Sequence, residues 1–115
     1  MVPRDDHSTE PPAVPSFEIR IVRVGEDLFL LVTGELDLDS AAKLEGAIWV
    51  AEHRMAREVI VDLSDLRSMD SAGLDVLLDA HTRGEQNGRR LRFVPSKYEA
   101  VRQVVAVTGA SKMFG

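Results

Sequence analysis

Apolar and polar residues alternate from Phe17 to Val24. Phe17, Ile19 and Ile21 with Arg23 fall on one side, and Glu18, Arg20, Val22 and Val24 on the other, the two-residue period of a strand with one wetter face. Gly25-Glu26-Asp27 reads as a turn. LFLLVTG (28–34) is a continuous apolar run of strand length, so the two segments predict a hairpin. The period then lengthens: within LDLDSAAKLEGAIWVAEHRM (36–55), Leu44, Ile48, Ala51 and Met55 recur at helical spacing, with Asp39 or Ser40 placed to cap the helix. EVIVDLSDL (58–66) returns to a buried strand, since the β-branched Val59, Ile60 and Val61 crowd a helix. Leu74, Leu77, Leu78 and His81 predict a second helix that runs to about Gln86 and ends at Asn87-Gly88. RLRFV (90–94) is a short strand. Pro95-Ser96 opens a last helix, in which Tyr98, Val101, Val105 and Thr108 share a face and Gly109 closes it.

The predicted order is β-β-α-β-α-β-α. Strands joined through helices run parallel with right-handed crossovers, so the fold class is α/β: a small mixed sheet with one antiparallel hairpin strand. The carboxyl ends of the parallel strands then gather on one edge, where such sheets build their sites.

The first 16 residues depart from this pattern. Four of the five prolines lie among them, mixed with Asp, Ser, Thr and Glu, a composition that buries too little to order itself; residues 1–16 are expected to be a tail and 17–115 a single domain. Neither a signal-peptide core nor an apolar run near the roughly 20 residues of a membrane span is present, so a soluble cytoplasmic protein is expected. The chain has no cysteine, which removes disulfides and thiolate chemistry. A net charge of -5 argues against a nucleic-acid surface, and Arg89-Arg90 with Arg92 reads as a charged turn. His7, His53 and His81 lack metal-ligand spacing, and no G-x-S-x-G, G-x-x-x-x-G-K or G-x-G-x-x-G motif occurs. Neither catalysis nor a bound cofactor is expected.

One stretch interrupts the apolar pattern. MDSAGLD (69–75) places Asp70, Ser71 and Ala72 and then Gly73 between a strand and a helix. An earlier strand ends at Gly34 and its loop carries Asp37, while the strand ending near Leu63 leads through a loop at 64–69 to Asp70 and Ser71. Both loops leave the same edge, so the topology brings Asp37, Asp70 and Ser71 together. Helix capping alone accounts for polar residues there. The alternative reading makes Ser71 an exposed hydroxyl able to accept a phosphoryl group, which would add about -1.5 to -2 charge beside carboxylates. At ~6 Å and an effective dielectric near 20, each added charge pair costs roughly 3 kcal/mol before screening. Gly73 permits close backbone approach, either to a partner or to the sheet. Leu36, Leu38, Met69, Leu74 and Trp49 are the candidate exposed apolar residues around this edge.

TGELD (33–37) followed by VIVDLSDLRSMDSAGLDVLL (59–78) resembles the STAS domain of bacterial anti-sigma factor antagonists. The resemblance runs from about residue 17 to the C-terminus. It implies that Ser71 is phosphorylated by a partner anti-sigma factor with serine kinase activity, with Asp37 and Asp70 as the acidic residues of the two motifs. It also implies that the unphosphorylated protein binds that factor and frees a sigma factor, that phosphorylation abolishes binding, and that a separate phosphatase restores it. Asp37, Asp70, Ser71, Gly73, Leu74, Leu36 and Met69 are the expected partner-binding residues, with ATP as the kinase's substrate and no cofactor of the chain's own. Ala72 stands where many relatives have a second serine, which leaves Ser71 as the acceptor within the motif. Relatives continue past the segment matching GASKMFG into another strand and helix, so the fold is expected to be shortened at the C-terminus. A constitutive STAS adaptor without a phosphorylation switch is the competing reading.

Overall fold

The computed structural model describes residues 16–88 and 90–114. Its elements are β1 (Phe17–Val24), β2 (Asp27–Leu36), α1 (Leu38–Glu52), β3 (Glu58–Asp62), β4 (Leu66–Met69), α2 (Ser71–Gln86), β5 (Leu91–Val94), α3 (Glu99–Val107) and a closing 3-10 turn (Ala110–Phe114). The α/β class and the order read from periodicity hold, with one addition. Residues 66–69, expected to be loop, form the short strand β4, because they continue the line of β3 alongside β2. β3 is parallel to Asp27–Leu31, and β4 is parallel to Gly34–Leu36.

The sheet order is β1-β2-β3-β5, with β4 on β2. β1 is antiparallel to β2 over its whole length, and β5 is parallel to β3. β2 alternates strictly: Leu28, Leu30, Val32, Gly34 and Leu36 are buried, and the residues between them are less so. That inward row joins Val59, Val61, Leu63, Leu66 and Phe93 of the sheet with Leu44, Ile48, Leu74, Leu77, Val101 and Val105 of the helices in one core. The opposite face carries Val22, Phe29, Ile60 and Arg92 in register across four strands.

Two expectations about helix and strand faces need correction. Met55 is 96% exposed because α1 stops at Glu52, where the chain turns through His53 and Arg54, whose amides donate back to the last turn. Ile21 is exposed because β1 is an edge strand, and only Phe17 and Ile19 at its start pack on the core. Except for Ser16, the expected tail lies outside the described residues. Ser16 itself is held by the fold, its carbonyl accepting from the Glu35 amide at 2.6 Å.

That contact depends on Gly34. The register between β2 and β4 slips between Gly34 and Glu35, and Gly34 takes a φ of 96°, a region that side chains disfavour. A Cβ at this position would also run into the Ser16 carbonyl.

Candidate functional site at the starts of two helices

β2 and β4 lie side by side and parallel, and each is followed after one residue by a helix. The connecting residues are Asp37 and Asp70. Both keep extended backbone and both are N-caps, the position at which a short oxygen-bearing side chain satisfies an otherwise unpaired helix amide. The Asp70 amide donates to the Leu36 carbonyl at 3.0 Å, which ties the start of α2 to the start of α1.

At α1 the cap is reciprocal. Asp37 Oδ1 accepts from the Ser40 amide at 3.1 Å, while Ser40 Oγ accepts from the Asp37 amide at 2.9 Å and donates to the Glu35 carbonyl at 3.0 Å. The expected cap, Asp39 or Ser40, is therefore corrected to Asp37, with buried Ser40 as its partner in the third helical position. The Ser40 amide and then its hydroxyl, both bonding to the Asp37 carboxyl, hold that group below the ordinary carboxylate range.

At α2 the division of labour is different. Asp70 Oδ1 accepts from the Gly73 amide at 3.0 Å, so Asp70 is the cap. Ser71 is the first helical residue and is exposed. Among the described residues its hydroxyl has neither a hydrogen bond nor another partner.

Gly73 is buried against the neighbouring helix start. A Cβ there would lie 2.5 Å from Leu36 Cγ and 3.0 Å from the Leu36 carbonyl oxygen, closer than a side chain allows. The glycine thus lets α2 sit directly on the end of β2. The same packing corrects the expected exposure of Leu36, Met69 and Leu74: they are 1%, 6% and 3% exposed and belong to the core, because the two helices close over the strand ends. Leu38 and Trp49 are exposed, at 74% and 57%, but Trp49 stands in the last turn of α1, away from this edge, and not around it as expected.

The edge therefore presents Asp37, Asp70 and Ser71 on a rigid base of Leu36, Met69, Gly73 and Leu74. Beside it, Glu35, Asp37, Asp39 and Lys43 line a depression of about 140 Å³ that also includes Ser16 and Ser40, well under the roughly 300–1,000 Å³ usual for small-molecule sites. No cluster of three metal-ligating side chains occurs among the described residues, and no helix among them is long and apolar enough to cross a membrane.

Residues 19–115 match the family model described as "Mlab, STAS domain", and the chain belongs to the STAS domain family. Solved structures share its fold. An anti-sigma factor antagonist from Mycobacterium paratuberculosis superposes with a TM-score of 0.75 at 24% identity, covering 86% of this chain and 83% of that one. The anti-sigma factor antagonist SpoIIAA in its unphosphorylated form gives 0.67 at 22% identity, covering 86% and 85%. The phosphorylated form of SpoIIAA, a Bacillus cell fate determinant, gives 0.61 at 21% identity, covering 86% and 88%. No curated protein matches the chain.

Proposed function

We propose that this protein is a non-enzymatic anti-sigma factor antagonist. Its unphosphorylated form binds an anti-sigma factor with serine kinase activity through the edge formed by Asp37, Asp70 and Ser71, and phosphorylation of Ser71 releases it. In the transfer step the γ-phosphoryl group of ATP moves to Ser71 Oγ. A new O–P bond forms, the bond to the β-phosphate oxygen breaks, ADP leaves, and the hydroxyl proton passes to a base on the kinase. A phosphatase reverses the step by hydrolysis, and the output is control of sigma-factor-dependent transcription.

One observation carries this reading: Ser71 is exposed and its hydroxyl has no partner among the described residues, while its neighbour Asp70 supplies the helix cap. Had Ser71 been the cap, its presence would need no further explanation. A hydroxyl free of structural duty at a fixed helix start is accessible to a kinase. A phosphate placed there stands beside Asp70, so the change in charge falls on the surface the partner reads. The likeness to antagonists in unphosphorylated and phosphorylated form, at low identity, supports the fold on which such a switch is built.

The test uses wild type, Ser71→Ala and Ser71→Asp as baits in lysate of the encoding organism, together with phosphosite mapping of the protein purified from the same cells. The expected result is a small ATP-binding protein held by wild type and Ser71→Ala and lost with Ser71→Asp, and a phosphoryl group on Ser71. Equal capture by all three baits, with Ser71 unmodified, overturns the switch in favour of a constitutive adaptor.

A further inference from the structure

β2 runs from Asp27 at one pole of the sheet to Leu36 at the other, about 30 Å at the rise of a strand. At the pole away from Asp37 and Asp70, the end of α1, the loop into β3 and the turn before β5 enclose a cleft of about 200 Å³. Arg54, Arg57 and Arg90 line it, with Glu52, Val59 and Leu91. Most charges nearby are already matched. Arg57 grips Asp27 through Nε to Oδ1 at 3.1 Å and Nη2 to Oδ2 at 2.8 Å. Arg92 lies 3.5 Å from Glu58, and Arg83 lies 3.6 Å from Glu52. Arg54 and Arg90 are the cations of this cleft without such a match: both are exposed, and neither guanidinium has a hydrogen bond or ion pair among the described residues. In a chain of net charge -5, two unmatched cations flank one cleft.

Exposed apolar residues flank Arg54 along the chain. Trp49 is 57% exposed and stacks on His53 at 4.0 Å between ring centroids, and His53 directly precedes Arg54. Val50 and Met55, on either side of that pair in sequence, are exposed as well. Trp, Met and Arg are the residue types over-represented where proteins dock, and Trp and Arg dominate the binding energy there.

We propose that this pole is a second docking surface, separate from the Ser71 edge, which receives an acidic amphipathic segment of a partner protein. Apolar side chains of the segment cover Trp49, Val50 and Met55, and its carboxylates meet Arg54 and Arg90. Charge complementarity selects this occupant. The cleft, at about 200 Å³, is sized for one side chain and not for a whole ligand.

Trp49 is the only tryptophan in the chain, so its emission reports on this surface directly. The full chain is titrated with a synthetic peptide of about four helical turns bearing Leu on one face and Glu on the other. The same peptide with Lys for Glu, and vesicles of phosphatidylcholine with phosphatidylglycerol, are the comparison arms. Anisotropy of the labelled peptide gives a second readout. Expected are a blue shift with the acidic peptide, a Kd raised about tenfold or more by Arg54→Glu with Arg90→Glu, and unchanged binding by Ser71→Asp, which keeps this result independent of the switch. The two arginines make no side-chain bonds among the described residues, so circular dichroism should show the double variant folded. No binding, equal binding of the basic peptide, or an affinity indifferent to the double variant overturns the proposal. Binding to vesicles without binding to the acidic peptide overturns it in favour of a membrane surface.

Discussion

The amide of Asp70 donates to the carbonyl of Leu36, and this hydrogen bond sets two helix starts next to each other although 33 positions separate the residues. Asp37, the residue after Leu36, caps one helix, and Asp70 caps the other. Gly73 completes the arrangement by bringing the backbone of α2 against the Leu36 side chain.

Gly73→Ala should therefore lower stability, although alanine is the better helix former by about 1 kcal/mol. The added methyl meets a buried Leu36 side chain and its carbonyl, and overpacking of this kind costs about 1–3 kcal/mol. Urea unfolding of the two proteins gives the difference, and an alanine variant more stable than wild type would contradict the close approach.

The two neighbours in the motif should separate cleanly. Asp70→Ala removes the acceptor of the Gly73 amide and should cost about 1 kcal/mol. Ser71→Ala removes a hydroxyl with no partner among the described residues and should change stability by less than about 0.5 kcal/mol. Thermal melts of both variants check the contrast, and a large loss from Ser71→Ala would give Ser71 a structural role.

Acid should act through Asp37. Hydrogen bonds from Ser40 lower its pKa in the folded state; a depressed carboxyl contributes stability that is fully present above its unfolded pKa and is lost as pH falls through the folded one. Asp27, lowered chiefly by its hydrogen bond to Arg57, acts in the same direction. The urea midpoint of wild type should fall as pH drops below about 4, and Asp37→Asn, which retains a capping oxygen, should flatten that fall. An unchanged acid limb in the variant would remove Asp37 from the account.

Two leucines two positions apart should respond very differently to truncation. Leu36, 1% exposed, lies beneath the helix starts, and Leu36→Ala should cost about 2–5 kcal/mol. Leu38, 74% exposed, should tolerate alanine within about 0.5 kcal/mol. Denaturant titration measures both, and similar losses would show that Leu38 is covered.

Ser96 is a further structural hydroxyl. It is buried, donates to the Leu66 carbonyl at 2.7 Å and accepts from the Tyr98 amide at 3.0 Å, so it joins the short strand β4 to the start of α3. Ser96→Ala leaves both backbone groups without this partner and should cost about 1–3 kcal/mol, measurable by the same unfolding curves.

The sequence by itself determined the order of the main elements and the acidic character of the two helix starts, because hydrophobic period and turn residues are local properties. It also placed Asp37, Asp70 and Ser71 on one edge, since parallel strands joined by helices bring their carboxyl ends together. Only the tertiary structure decided which of these residues carry the fold. Whether Leu36, Met69 and Leu74 face solvent depends on what closes over them, and the approach of α2 at Gly73 closes that space. The strand at Leu66–Met69 was hidden for the same reason. Four residues have no readable period, and they become a strand because β2 extends past β3 and offers them its backbone. The capping roles of Asp37 and Asp70, and with them the freedom of Ser71, were likewise settled by hydrogen bonds that depend on where each helix begins, a boundary that packing sets and periodicity does not.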